Sequence, residues 1–325
     1  MTVAVLRMRG TTGEAGTGPT IGVPHSRLLG GLHVDLGRGD HRSSVFLAGS
    51  GRSGTTWISG VINHRNAYRF VFEPFHPGKV RILRHFRRKQ YLRPGDRREE
   101  YLGPARTVLT GELRSLWTDR FNKKFVARRR LIKDIRANLL LGWMHANFPG
   151  MPIVLLLRHP CGVVASRLAL GWRDVLSETM EQEELVEDFL LPMEAEIRAA
   201  RGGFERHLFS WCVENYVPLR QFEPGEIHLA FYEDFLVRPD QELRRLFAFL
   251  DDSFDGRAYR TLGRPSPLSR HPEIPSVDAW RRCVTARQTE RAVEILGCFG
   301  LDRVYGEGAV PDLSGAHALM GGECR

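Results

Sequence analysis

The stretch from Val45 to Asn63 constrains this chain more than any other. Val45-Phe46-Leu47-Ala48 is a short apolar run with the character of a buried strand, and Thr55–Asn63 follows a helical pattern. Between them lies Gly49-Ser50-Gly51-Arg52-Ser53-Gly54. A glycine-rich turn from strand to helix aims several backbone N–H groups at one point, on the positive end of the helix dipole. Glycine lets that backbone approach an anion closely. Hydroxyls at Ser53, Thr55 and Thr56 add donors. The segment is read as an anion site; the plain alternative is a glycine-rich turn without a ligand.

Three anions compete for it. Gly49-x-Gly51-x-x-Gly54, with Glu73 about 20 residues on, has the spacing of a dinucleotide fingerprint. Gly49-x-x-x-x-Gly54-Thr55-Thr56 is near a nucleoside-triphosphate loop but lacks the lysine that reaches the β- and γ-phosphates. ATP or GTP hydrolysis is therefore not expected. The loop cation is instead Arg52, displaced toward the N-terminus.

The rest of the chain supplies a frame. Tyr68–Phe72, Arg130–Lys133, Ile153–Leu157 and Ile227–Phe231 are further strand candidates. Helical patterns follow at Ala137–Asn147, Gly162–Leu170 and Asp240–Leu250, with others at Leu185–Ala200, Glu205–Arg220 and Thr285–Cys298. Strands alternating with helices predict an α/β fold with a parallel sheet flanked by helices. Residues 1–42 read as a loose N-terminal arm, 43–305 as a single domain, and 306–325 as a flexible C-terminal tail. Pro265–Pro275 reads as irregular.

Ile153–Leu157 runs into Arg158-His159-Pro160, and Ser166 stands in the following helix. Ligand groups in open parallel sheets gather at strand C-terminal ends. A guanidinium and a hydroxyl there suit a phosphate monoester.

Arg52-Ser53-Gly54-Thr55-Thr56-Trp57 resembles the 5'-phosphosulfate loop of sulfotransferases that use 3'-phosphoadenosine 5'-phosphosulfate (PAPS). Arginine in place of the cytosolic group's lysine is similar to the Golgi carbohydrate and tyrosylprotein groups. Arg158 and Ser166 match the family's 3'-phosphate motif, and Tyr232-Glu233-Asp234 a later family segment. The resemblance covers roughly Ser44–Leu250. It implies a P-loop-NTPase-like sheet, PAPS as co-substrate, 5'-phosphosulfate on Arg52, Ser53, Gly54, Thr55 and Thr56, and adenine stacked on Trp57. The plainer reading of Trp57 is an inward-facing helix residue.

Sulfuryl transfer needs a proton acceptor and positive charge near the departing phosphate. Arg52 and Lys133 are the cations expected there. In the cytosolic group the base is the His of a Lys-x-His strand; the matching Lys133-Asp134-Ile135 keeps the lysine and lacks the histidine. Phe72-Glu73-Pro74 resembles the Phe-Glu-Pro of the carbohydrate enzymes, which implies Glu73 as base. Glutamate titrates at about 4.3, so a useful base needs its pKa raised by burial, for which Phe70, Phe72 and Phe75 offer apolar walls. The alternative is a strand-end carboxylate paired with a loop arginine. Asp134 and His76 are the reserves.

Composition narrows the partners. Net charge is +9, which fits an anionic partner. Lys79–Arg98 holds nine Lys/Arg and one acid, a solvated face or an anionic-acceptor surface. The five cysteines form no C-x-x-C pair, so neither a disulfide framework nor a structural zinc is expected, and the compartment reads as reducing and cytoplasmic. No run approaches the roughly 20 apolar residues of a membrane span, Met1–Met8 is too short for a secretory leader, and no metal-ligand spacing appears. The expected function is transfer of a sulfuryl group from PAPS to a hydroxyl of a carbohydrate or small metabolite, without metal and without nucleic acid. The rivals are an NAD-dependent oxidoreductase and a basic nucleic-acid-binding module.

Overall fold

The computed structural model describes residues 33–266, 274 and 276–321. Its centre is a five-stranded sheet of β2 (Ser44–Gly49), β3 (Tyr68–Phe72), β5 (Arg129–Asp134), β6 (Ile153–Leu157) and β7 (His228–Phe231). The order is β3-β5-β2-β6-β7, and each neighbouring pair is parallel. Two short strands, β1 (Val34–Asp35) and β4 (Val126–Ala127), form a separate parallel pair.

Strand alternation makes the sheet two-faced. Phe46 and Ala48 of β2 join one apolar cluster with Leu155 of β6, whereas Val45 and Leu47 join a second with Val154 and Leu156. Both faces are covered, which is why the strands read as continuous apolar runs. Helices α1 (Thr55–Ile62) and α6 (Pro239–Phe249) cover the second face. The first is covered by α2 (Glu99–Leu109), α3 (Leu141–Asn147), α4 (Pro160–Ala169), α5 (Gly202–Gln221) and α7 (Ala286–Cys298). The chain leaves β2 toward β3 on one side of the sheet, while β6 lies on the other. A crevice at the C-terminal ends of β2 and β6 follows from that reversal.

The structure corrects several boundaries. Leu185–Ala200 is not one helix. Pro192 lacks an N–H, and the segment breaks into Glu183–Leu185, a wide turn at Val186–Leu190, Leu191–Met193 and Glu194–Ala199. The tail expected to be flexible contains α8 (Leu313–Leu319), capped by Asp312, with Ala316 and Leu319 buried. Most of the N-terminal arm lies outside the described residues, but Asp35 of β1 is buried against Arg69 (3.2 Å) and Arg130 (2.8 Å). Within Pro265–Pro275, residues 267–273 and 275 lie outside the described residues. Among the described residues no helix is long and apolar enough to cross a membrane.

Candidate active site

The loop after β2 turns sharply into α1. Gly54 has φ 97°, and a Cβ there would meet the Tyr232 ring at 2.6 Å, so only glycine fits. Arg52 has φ 81°. Glu73 has φ 42°, and these are two of only four non-glycine residues with positive φ among those described. Backbone strain of this kind gathers at functional sites. Thr55 and Thr56 open α1, where first-turn N–H groups have no carbonyl one turn back. Ser53 is fully buried, and among the described residues its Oγ has no hydrogen-bond partner. An orphaned hydroxyl inside a turn of helix-end N–H groups fits an anion.

The second motif closes onto the first. Arg52 Nε donates to Ser166 Oγ of α4 at 2.9 Å, across 114 positions of sequence. Arg158, directly after β6, donates to the Arg52 carbonyl at 3.2 Å, and its guanidinium lies 4.2 Å from the centroid of the Tyr232 ring. Trp57 is buried; its ring packs on Tyr232 (5.0 Å) and Phe235 (6.3 Å), and its Nε1 donates to the Arg264 carbonyl at 3.0 Å.

Glu73 follows β3, at the same C-terminal edge of the parallel sheet. Its carboxylate accepts from Lys133 Nζ and from Arg136 Nη1, both at 2.6 Å. Burial pushes this carboxyl up, but the Lys133 and Arg136 charges pull harder and hold it below the usual carboxylate range. The expected upward shift is therefore overturned. The expected aromatic walls are also reassigned. Phe72 alone stands by Lys133 (4.9 Å to the ring centroid), whereas Phe75 packs into the core on Phe46 and Phe86. Burial lowers the Lys133 ammonium from its ordinary value.

A model described as "Sulfotransferase family" matches residues 44–256, from β2 to beyond α6. The chain belongs to the sulfotransferase family. Among solved structures, the sulfotransferase domain of the curacin biosynthetic pathway shares 16% identity, covering 78% of this chain and 96% of that one at a TM-score of 0.45. A sulfotransferase from Alicyclobacillus acidocaldarius shares 16%, covering 84% and 97%, at 0.42. A mouse sulfotransferase complexed with PAP shares 15%, covering 85% and 88%, at 0.39. No curated protein sequence matches.

The reserve bases of this sulfotransferase are otherwise engaged. Asp134 is buried and accepts from Phe75 N (2.8 Å) and Arg136 N (2.6 Å), tying two loops together; burial pushes its carboxyl up. The His76 imidazole is held down to about 4 by burial and then by Arg136.

A buried ionic chain that the motifs did not reveal supports the phosphate loop. Arg167 donates to the Gly51 carbonyl (3.1 Å) and pairs with Glu214 (3.0 Å). Glu214 also pairs with Lys89 at 3.1 Å, and Asn215 donates to Ser50 Oγ at 3.1 Å. Burial raises the Glu214 carboxyl, but Arg167 and Lys89 outweigh it and bring it to about 2. A signal was present in the sequence. Arg167 falls on the apolar stripe of Val163 and Val164, and Glu214 on that of Trp211, so each needed a buried partner. Lys89 belongs to the basic run, which is not a uniform solvated face. Arg93 pairs with Glu187 and Asp188, Arg98 with Asp96, and Phe86 and Tyr91 are buried. Among the described residues no group of three His, Cys, Asp or Glu could hold a metal ion.

Proposed function

We propose that this chain moves the sulfuryl group of PAPS onto a hydroxyl of a carbohydrate or small metabolite by in-line displacement. The observation that carries the proposal is the joining of two anion motifs by the Arg52–Ser166 hydrogen bond, at the C-terminal edge of the sheet where the Glu73–Lys133 pair also lies. Arg52 and the N–H and hydroxyl groups of Ser53, Gly54, Thr55 and Thr56 hold the 5'-phosphosulfate. The unpartnered Ser53 Oγ supports this. Arg158 and Ser166 hold the 3'-phosphate, and Trp57 with Tyr232 forms the aromatic wall beside the nucleotide.

The reaction breaks the bond between sulfur and the donor's bridging oxygen and forms one to the acceptor oxygen. The acceptor proton passes to Glu73, and negative charge appears on the departing phosphate. Arg52 and Lys133 stabilise that charge. In the resting site Glu73 is a doubly paired and therefore weak base. When Lys133 Nζ turns to the departing phosphate, Glu73 loses one partner and gains basicity as the proton must leave.

Calorimetric titration with 3'-phosphoadenosine 5'-phosphate (PAP), NAD and duplex DNA tests the donor assignment: PAP alone should bind. An acceptor screen with labelled PAPS, read by mass spectrometry, tests the transfer. Tight NAD binding without PAP binding would overturn the reading.

A further inference from the structure

On the acceptor side of the site, positive charge exceeds what the local acids neutralise. Trp117 Nε1 donates to the Glu73 carbonyl at 3.0 Å. Over that indole lie Lys79 Nζ, 5.8 Å from a ring centroid, and the Arg120 guanidinium at 4.8 Å, while His76 meets it edge-on at 5.5 Å. Next to this group opens a cavity of about 380 Å³ whose lining includes Pro77, Phe86, Arg88 and Val175. Two acids line it, and both are engaged: Glu181 with Arg87 at 3.3 Å and Glu178 with Arg173 at 3.8 Å. Lys89 turns inward to Glu214. Arg88 and Lys79 make no ion pair among the described residues, and both are exposed. Arg136, Arg88 and Lys79 all act on the His76 imidazole, with Glu73 the carboxylate that opposes them. Lys79, over Trp117, and Arg136, on the Glu73 carboxylate, thus stand beside Glu73, and Arg88 lines the adjoining cavity. Further along, Arg93 and Arg98 are neutralised, so the run is not the unbroken basic stripe that would follow a polyanion backbone.

We propose that the acceptor is a small hydroxylated molecule that already carries an anionic group, which Arg88 and Lys79 hold while the hydroxyl faces Glu73. This rests on the sulfuryl-transfer reading above and adds the acceptor's charge to it. Phe86, Pro77 and Val175 give the carbon frame an apolar wall, and the cations give it orientation. Carboxylate, sulfate and phosphate share the chemistry that two such cations recognise.

Matched acceptors that differ in one anionic group test the proposal: methyl glucuronide against methyl glucoside, and 4-hydroxybenzoate against its methyl ester. Glucose 6-phosphate against glucose adds a phosphate arm. Each is titrated into protein saturated with PAP. The anionic member of at least one pair should bind about tenfold tighter or better at low salt, as one charge-assisted contact provides. That advantage should shrink as salt rises. Arg88→Ala and Lys79→Ala should remove it with PAP affinity unchanged, and Arg97→Ala, on an exposed turn, should leave it intact. If PAP binds and no anionic member binds better than its neutral twin, the proposal is overturned and the donor reading stands. An advantage that survives both substitutions overturns it equally. If PAP itself does not bind, the donor reading falls first and this inference with it.

Discussion

Replacing Glu73 with glutamine isolates charge from shape. The wild-type carboxylate is nearly buried and lies 2.6 Å from both Lys133 Nζ and Arg136 Nη1. Glutamine keeps one acceptor oxygen but turns an NH₂ group toward the other cation. Removing one partner from a buried ion pair costs about 3–5 kcal/mol, because the remaining charge stays desolvated. At roughly 2 °C per kcal/mol for a chain of this size, Tm should fall by about 6–10 °C. Activity should fall further than stability explains. Loss of a positioned base lowers kcat by roughly 10²- to 10⁴-fold, measured on the folded fraction with PAP affinity held as the control. The pH profile carries a sign. The carboxyl of Glu73 lies below its ordinary 4.5, so its contribution to stability is present above that value and is lost as pH falls through the folded-state pKa. In the wild type kcat/KM should therefore be flat with respect to this group through neutrality and decline only in acid. A folded Glu73→Gln protein with near-normal kcat would refute the base assignment. A wild-type kcat/KM that climbs through neutral pH and loses that climb in Glu73→Gln would refute the depressed pKa.

Four other substitutions probe separate parts of the site. Arg158→Ala and Ser166→Ala should each weaken PAP binding by roughly 1.5–3 kcal/mol, about ten- to a hundredfold by calorimetry, with little change in Tm; unchanged affinity in both would remove the 3'-phosphate role. Gly54→Ala places a methyl 2.6 Å from the Tyr232 ring at φ 97°, so it should cost about 1–3 kcal/mol in thermal unfolding and reduce PAP affinity together. Glu233 is buried, accepts from His159 N (2.9 Å) and Tyr305 OH (3.0 Å), and burial pushes its carboxyl up to about 7. Between its ordinary 4.5 and that value the unfolded chain holds fewer protons than the folded one, so stability should fall as pH rises across this window. Glu233→Gln should flatten that slope in Tm measured against pH, and an unchanged slope would contradict it.

The central strands were readable because each is buried on both faces, and continuous apolar runs such as Ile153–Leu157 leave little ambiguity. The phosphate loop was readable because its glycines, hydroxyls and cation are consecutive. What sequence order hides is convergence. Arg136 and Lys133 flank Glu73 only because β3 and β5 are neighbours in register, with Phe72 opposite Lys133. Without that pairing, the three phenylalanines near Glu73 suggested an apolar pocket and the wrong direction of pKa shift. The basic run misled in the same way. Its acids lie near position 185, about 90 residues away, and Lys89 reaches under the phosphate loop to Glu214 on α5. Helix α2 was missed because Gly103 and Pro104 interrupt its pattern; Pro104 lies inside the helix, past its first turn, where it forgoes one i→i−4 hydrogen bond. Trp57 illustrates a choice that pattern alone left open, since a helix-start tryptophan reads as a wall of a ligand site or as core. In the fold it is buried, with its ring tilted onto Tyr232 and its N–H donated to the Arg264 carbonyl.

The claim on which the rest depends is that the crevice at the ends of β2 and β6 is built for a nucleotide with phosphates at both the 5' and 3' positions. Titration of the wild-type protein with PAP and, separately, with AMP isolates the 3'-phosphate, since the two share adenine, ribose and a 5'-phosphate. With Arg158 and Ser166 both engaged, PAP should bind at least about tenfold more tightly than AMP, and the gap should close in Arg158→Ala. Equal affinity for the two nucleotides in the wild-type protein would contradict the account.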